Sequence, residues 1–341
     1  RTDFATIASP AAAASKGDRG PALRAPRLDE TPEWAWRMQI DLREQEKELY
    51  SLVRNRAGSS AIAGARPEAT APAVGSSLSL DVSTSCTTPD VRTGVVRFVT
   101  DHAIVVDDAS NPPTAFSETQ LQSFAQEFDE LVYPTLTETF GEPTDVDGNG
   151  RVILFWSRGV NELTPPGGAG VVAGYFWAGD LFPRTETQDF GACASSNVGE
   201  VLYLAVPDPA GVVGGAVSEE LLSQFMVGTI GHELQHLVNA SRRLRVNGVE
   251  RPELTWLNEA LSFMAEEELF YRSSGLRPGE DISSSEIVAS QVTDPFERYA
   301  VGNLGRYNQY LLSPRFASPV DVDGIQTRGA SWHFLRYALD R

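Results

Sequence analysis

His232, Glu233 and His236 stand in the stretch His232-Glu233-Leu234-Gln235-His236, and their types and spacing suit one chemistry above others. An α-helix advances about 100° per residue, so side chains four apart share a face, one turn along the axis. Two imidazoles so placed can bind one metal ion together. Glu233, next to that face, can serve as base toward a water held at the ion. The chain has only four histidines, His102, His232, His236 and His333, so a chance pairing of this kind is uncommon. The competing reading is two incidental histidines on a buried helix.

Such a site needs a third ligand. Glu259 lies in Trp256-Leu257-Asn258-Glu259-Ala260-Leu261-Ser262-Phe263-Met264-Ala265-Glu266, which reads as the first turns of a second apolar helix. A carboxylate among Trp256, Leu257, Leu261 and Met264 is costly to bury without a partner, and a cation supplies one. The competing reading is an ordinary surface carboxylate, as Glu266, Glu267 and Glu268 are read to be. Two imidazoles and one carboxylate leave the fourth position of a zinc ion open for water, as catalysis requires.

The His232–His236 stretch followed by Trp256–Glu266 resembles the gluzincin metallopeptidases. Three further stretches, Thr144–Leu154, Gly174-Tyr175-Phe176 and Gly329–Tyr337, resemble the secreted bacterial neutral proteases of the hyicolysin type, peptidase family M30. The likeness spans roughly residues 90 to 341. It implies an α+β zincin-like fold, with a mixed β-sheet and the active-site helix in the N-terminal half and a mainly helical C-terminal half. It also implies an extracellular bacterial endopeptidase with zinc on His232, His236 and Glu259, Glu233 as general base, and protein or peptide substrates. Metzincins are set aside, because the third and sixth residues after His236 are Asn239 and Arg242 rather than Gly and His. Aminopeptidases of the gluzincin class grip the substrate amine through a Met-Glu-Asn stretch that is absent here. Two other readings stay open: a non-catalytic zinc- and calcium-binding surface module, and a zinc exopeptidase.

The elements that must carry these residues are legible. Ser218 before Glu219 and Glu220 reads as a helix start, a cap plus negative charge at the positive end of the dipole. Apolar residues recur from Leu221 to Val238, placing the two histidines late in a buried helix. Ser117 caps a helix expected to reach Phe140. A hairpin is expected over residues 91–106, and strands over 151–156, 171–177 and 201–206. A helix is expected near 296–312.

The chain divides at about residue 78. Residues 1–30, rich in Ala, Pro, Ser and Gly, read as disordered; 33–56 as a helix; 57–78 as a linker. This 1–78 segment is a candidate prosegment, and 79–341 is the expected metallopeptidase domain. The helix ending at Arg341 has no Gly or Pro stop, so the natural protein is expected to continue. A net charge of −18 argues against nucleic acid and anionic membranes as partners. A run of about 20 apolar residues, as a membrane span needs, does not occur. Cys86 and Cys193 are expected to form a disulfide if the protein is exported, the alternative being two buried thiols.

Secondary sites were read as follows. Asp145, Asp147 and Asn149, before Gly150, match the first half of a calcium loop, but Trp156 stands where an EF-hand places its bidentate Glu. The alternative is a polar turn. The 171–177 strand is read either as an exposed edge that binds peptide or as an interior strand. Asn258 is expected behind the ligand Glu259. An oxyanion donor is expected among His333, Tyr271, Tyr307 and Tyr310, none of them singled out.

Overall fold

In the computed structural model, the described residues are 3–7, 45, 48–54, 70–165, 167, 170–249, 251–288, 290–316 and 324–341. Much of the helix expected over 33–56 lies outside them. The fold is α+β: a mixed sheet in the N-terminal half, then a helical C-terminal half.

The sheet has seven strands: β1 (Asp3–Ile7), β2 (Ser77–Asp81), β3 (Val91–Val99), β4 (Ala103–Asp108), β5 (Val152–Trp156), β6 (Val171–Phe176) and β7 (Val201–Leu204). Their spatial order is β1-β6-β7-β5-β4-β3-β2. The central strands β4, β5 and β7 run parallel, while β6 runs antiparallel to β7. Every residue of β5, β6 and β7 is buried. Strands covered on both faces read as continuous apolar runs, which is how Val152-Ile153-Leu154-Phe155-Trp156 and Val201-Leu202-Tyr203-Leu204 appear.

The strand β1 was not expected. It pairs antiparallel with β6, from Asp3 opposite Phe176 to Ile7 opposite Val171. Residues 171–177 therefore do not form an exposed edge: β6 lies between β1 and β7, the interior-strand alternative. Composition reports how much apolar surface a segment can bury. It does not report an open strand edge far away in sequence that can take five residues by main-chain bonds.

Helix α1 (Glu118–Glu127) starts at Ser117, whose hydroxyl and Gln120 form a capping box. The expected single helix to Phe140 is interrupted by a π-turn at Phe128–Val132 before α2 (Tyr133–Phe140). Pro134 at the start of α2 explains the break, because it has no N–H to donate and its ring crowds the carbonyl four residues back. Helix α3 (Glu219–Ser241) is capped by Ser218, which accepts from the Leu221 amide, and carries Glu219 and Glu220 in its first turn. Helix α4 (Thr255–Ser274) ends at Gly275, held in the left-handed region at φ 74°.

Helix α3 lies against β6 and crosses α4. The approach to α4 is close at Gly231, where a Cβ would sit 2.6 Å from Leu269 Cδ1. Helices α5 (Val301–Leu312) and α6 (Ile325–Leu339) complete the helical half. They touch backbone to backbone at Gly329, where a Cβ would lie 2.3 Å from the carbonyl of Arg306. A disulfide joins Cys86 to Cys193, tying the loop before β3 to the loop before β7.

Candidate metal centre

Both histidines of α3 are buried, and the helical spacing turns their rings toward each other: Nε2 of His232 lies 3.2 Å from Nε2 of His236. Glu259, fully buried on α4, closes a triangle. Its Oε2 is 3.9 Å from His232 Nε2, and its Oε1 is 3.9 Å from His236 Nε2.

Both rings have polar partners, and Ser262 Oγ lies beside both nitrogens of His236, 3.2 Å from Nε2. His232 Nδ1 lies 2.9 Å from Oε1 of Glu266. His236 Nδ1 lies 3.1 Å from Ser262 Oγ, which in turn donates to Gln235 Oε1 at 2.7 Å. Donation of Nδ1–H to Glu266 places a lone pair on Nε2 of His232, and ligation of one ion by both rings requires the same of His236. Two lone pairs 3.2 Å apart repel unless a cation lies between them. Two bonds of zinc length at a tetrahedral angle place the nitrogens about 3.3 Å apart. The donor set fits a divalent ion of that kind.

The electrostatics agree. Burial lowers the pKa of His232 and favours the neutral ring, while Glu266 pulls the other way. Burial pushes the Glu266 carboxyl up, but Arg306 and His232 outweigh it and hold it below its usual range. Arg306, on α5, lies 3.3 Å from Glu266 Oε2 and over the Phe263 ring at 4.1 Å. Arg328, in the first turn of α6, places Nη1 2.9 Å from Oε2 of Glu259. Glu233, next to His232, is fully buried.

The sequence reading of Glu266, Glu267 and Glu268 as ordinary surface carboxylates is corrected for the first two. Glu266 backs His232. Glu267 is buried, faces α6, and accepts from Trp332 Nε1 and Arg336 Nη1, each at 3.3 Å. Burial pushes Glu267 up to about 7. Glu259, Ser262 and Glu266 recur at helical spacing on α4, and that period was the available signal.

Asn258, the residue before Glu259, is buried and accepts at Oδ1 from Asn239 of α3 at 2.6 Å. A small pocket beside His236 is lined by Asn239, Arg243, Glu253, Asn258 and Tyr50 of the N-terminal segment. That segment is docked, since Val53 bridges to Phe190 and Gly191 donates to the Leu52 carbonyl. Of the four donor candidates, His333 is exposed and stacks on Tyr307 at 4.2 Å. Tyr307 also stacks with Tyr310, and the Tyr271 hydroxyl contacts Glu267 at 3.4 Å.

The acidic loop has gained a member. Carboxylate oxygens of Asp145, Asp147 and Glu200 come within 4.8 Å of one another. Burial pushes Glu200 up to about 8 and Asp147 up to about 6. Asn149 is turned into the loop itself, its amide donating to Asp147 and its oxygen accepting from the Arg151 amide.

No protein-family model matches the chain. Over 150 residues it is 29% identical to the neutral metalloprotease ShpI of Staphylococcus hyicus. The match covers 44% of this chain and 31% of that protein, so the chain aligns with about a third of its relative's length.

Proposed function

We propose that this chain is a zinc-dependent endopeptidase that hydrolyses peptide bonds of proteins. The observation that carries the reading is the convergence of the buried side chains of His232, His236 and Glu259. Its likeness to a neutral metalloprotease supports the same reaction class.

His232, His236 and Glu259 would hold the ion, and the open fourth position would face the substrate. When bound, zinc supplies Lewis acidity that activates a water and polarises the scissile carbonyl. Glu233 would serve as general base, taking a proton from water and passing it to the leaving amine. Glu266 keeps the His232 ring in the tautomer that ligation needs, and Ser262 packs against His236. A peptide bound as an added strand on β6 would have to displace β1, which holds that edge. Cleavage within the chain is favoured over exopeptidase action, because the amine-gripping Met-Glu-Asn stretch is absent.

Calcium is the proposed ion for Asp145, Asp147 and Glu200, on donor chemistry alone, since hard oxygen ligands suit a hard cation. The Cys86–Cys193 bridge suits an oxidising compartment and supports export. Among the described residues no helix is long and apolar enough to cross a membrane.

The test is cleavage of an N-blocked peptide before and after removal of metal by a chelator. Internal fragments that vanish on chelation and return with zinc support the reading. Cleavage that survives chelation contradicts it, and release of single terminal residues points to the exopeptidase. Bound zinc without any turnover would favour the binding module.

A further inference from the structure

We propose that Arg328 is a positioning residue for the metal centre, acting through Glu259. The proposal rests on the zinc reading above and assigns a role to a side chain outside the ligand set and the general base.

Arg328 Nη1 lies 2.9 Å from Glu259 Oε2, and both side chains are withdrawn from water, at 13% and 1% exposure. A carboxylate that gives one oxygen to a metal has a second that must be held if the first is to point correctly. The permanently charged guanidinium of Arg328 meets that oxygen through Nη1, as an ion pair.

The fold fixes where Arg328 stands. The next residue, Gly329, lets α6 lie against the α5 backbone at Arg306, where a Cβ would meet the carbonyl at 2.3 Å. Arg306 and Arg328 are thus set by one helix contact. Arg306 secures His232 through Glu266, and Arg328 secures Glu259 directly. Helices α5 and α6 each set an arginine against a glutamate of α4, and Glu266 carries the link on to His232 of α3.

A rival role makes the opposite prediction. If Arg328 only balanced the charge of a buried carboxylate, it would compete with zinc for Glu259 and repel the ion. Its removal would then tighten zinc binding. If it positions Glu259, its removal weakens zinc binding.

The experiment is zinc affinity of the purified full chain, measured by competition with a chromophoric chelator. The variants are Arg328→Met and Arg328→Lys, and melting of the metal-free proteins is recorded alongside. A 10- to 100-fold weaker affinity in Arg328→Met is expected, the usual effect of losing a partner of a metal ligand. Arg328→Lys, which keeps the charge on a shorter side chain, should fall between Met and wild type. Unchanged or tighter binding in Arg328→Met overturns the proposal. If that variant fails to fold, Arg328→Lys decides: weaker binding than wild type supports the role, and equal binding overturns it. Failure of the parent chain to bind zinc would instead overturn the reading of the site itself.

Discussion

Glu266 Oε1 lies 2.9 Å from Nδ1 of His232, and Glu266 stands two turns along α4 from Glu259. One helix therefore supplies both the carboxylate proposed to bind metal and the carboxylate that orients a proposed ligand ring. Glu266→Gln keeps the shape and an acceptor oxygen but removes the charge. It should weaken zinc affinity about tenfold, at the mild end of what such partners contribute. The measure is chelator competition, and equal affinity would remove Glu266 from the centre.

The disulfide should matter to stability. Cys86 and Cys193 are 107 positions apart, and closing a loop of that length stabilises by about 4–5 kcal/mol in the chain-entropy view. Cys86→Ser with Cys193→Ser should lower the melting temperature by several degrees or more. An unchanged melting temperature would mean that strain or residual structure cancels the entropy.

Stability of the metal-free protein should fall as pH rises from about 6.5 to about 8, above the range in which the lowered pKa of His232 gives the opposite slope. Burial pushes Glu200 up to about 8, and Asp180 and Glu267 up to about 7. An acid whose folded pKa is above its unfolded one holds its proton more tightly when folded. Its penalty is absent below the unfolded pKa and grows until the folded pKa is passed. Glu200→Gln should flatten the slope. A pH melting series without metal reads this, and a rising melting temperature over that range would contradict it. Adding calcium near pH 8 should raise the melting temperature if Asp145, Asp147 and Glu200 bind it, and leave it unchanged if they do not.

Deleting residues 1–8 frees the edge of β6. If peptide adds to that edge, the deletion should lower KM with little change in kcat. An unchanged KM would place the peptide elsewhere.

Much of the centre was legible because its parts are local. The two histidines and the base share one helix, and Ser218 marks where that helix begins. Glu259 stood out because its neighbours are apolar. The arginines were not legible, because a charged residue on a helix reads as solvated until the packing across it is known. Arg306 and Arg328 are brought to the site by the contact of α5 with α6 at Gly329, which neither helix announces alone. The strands β5 to β7 followed from their apolar runs. Glu200 joined the acidic loop only through the parallel pairing of β5 with β7.

The central claim is that Glu233 acts as general base at a zinc ion held by His232, His236 and Glu259. The direct measurement is digestion of a denatured protein by zinc-loaded parent and by zinc-loaded Glu233→Gln. The account predicts fragments from the parent, a rate lower by at least about 100-fold in the variant, and equal zinc content in both. Equal cleavage by the two, at equal zinc content, would contradict it.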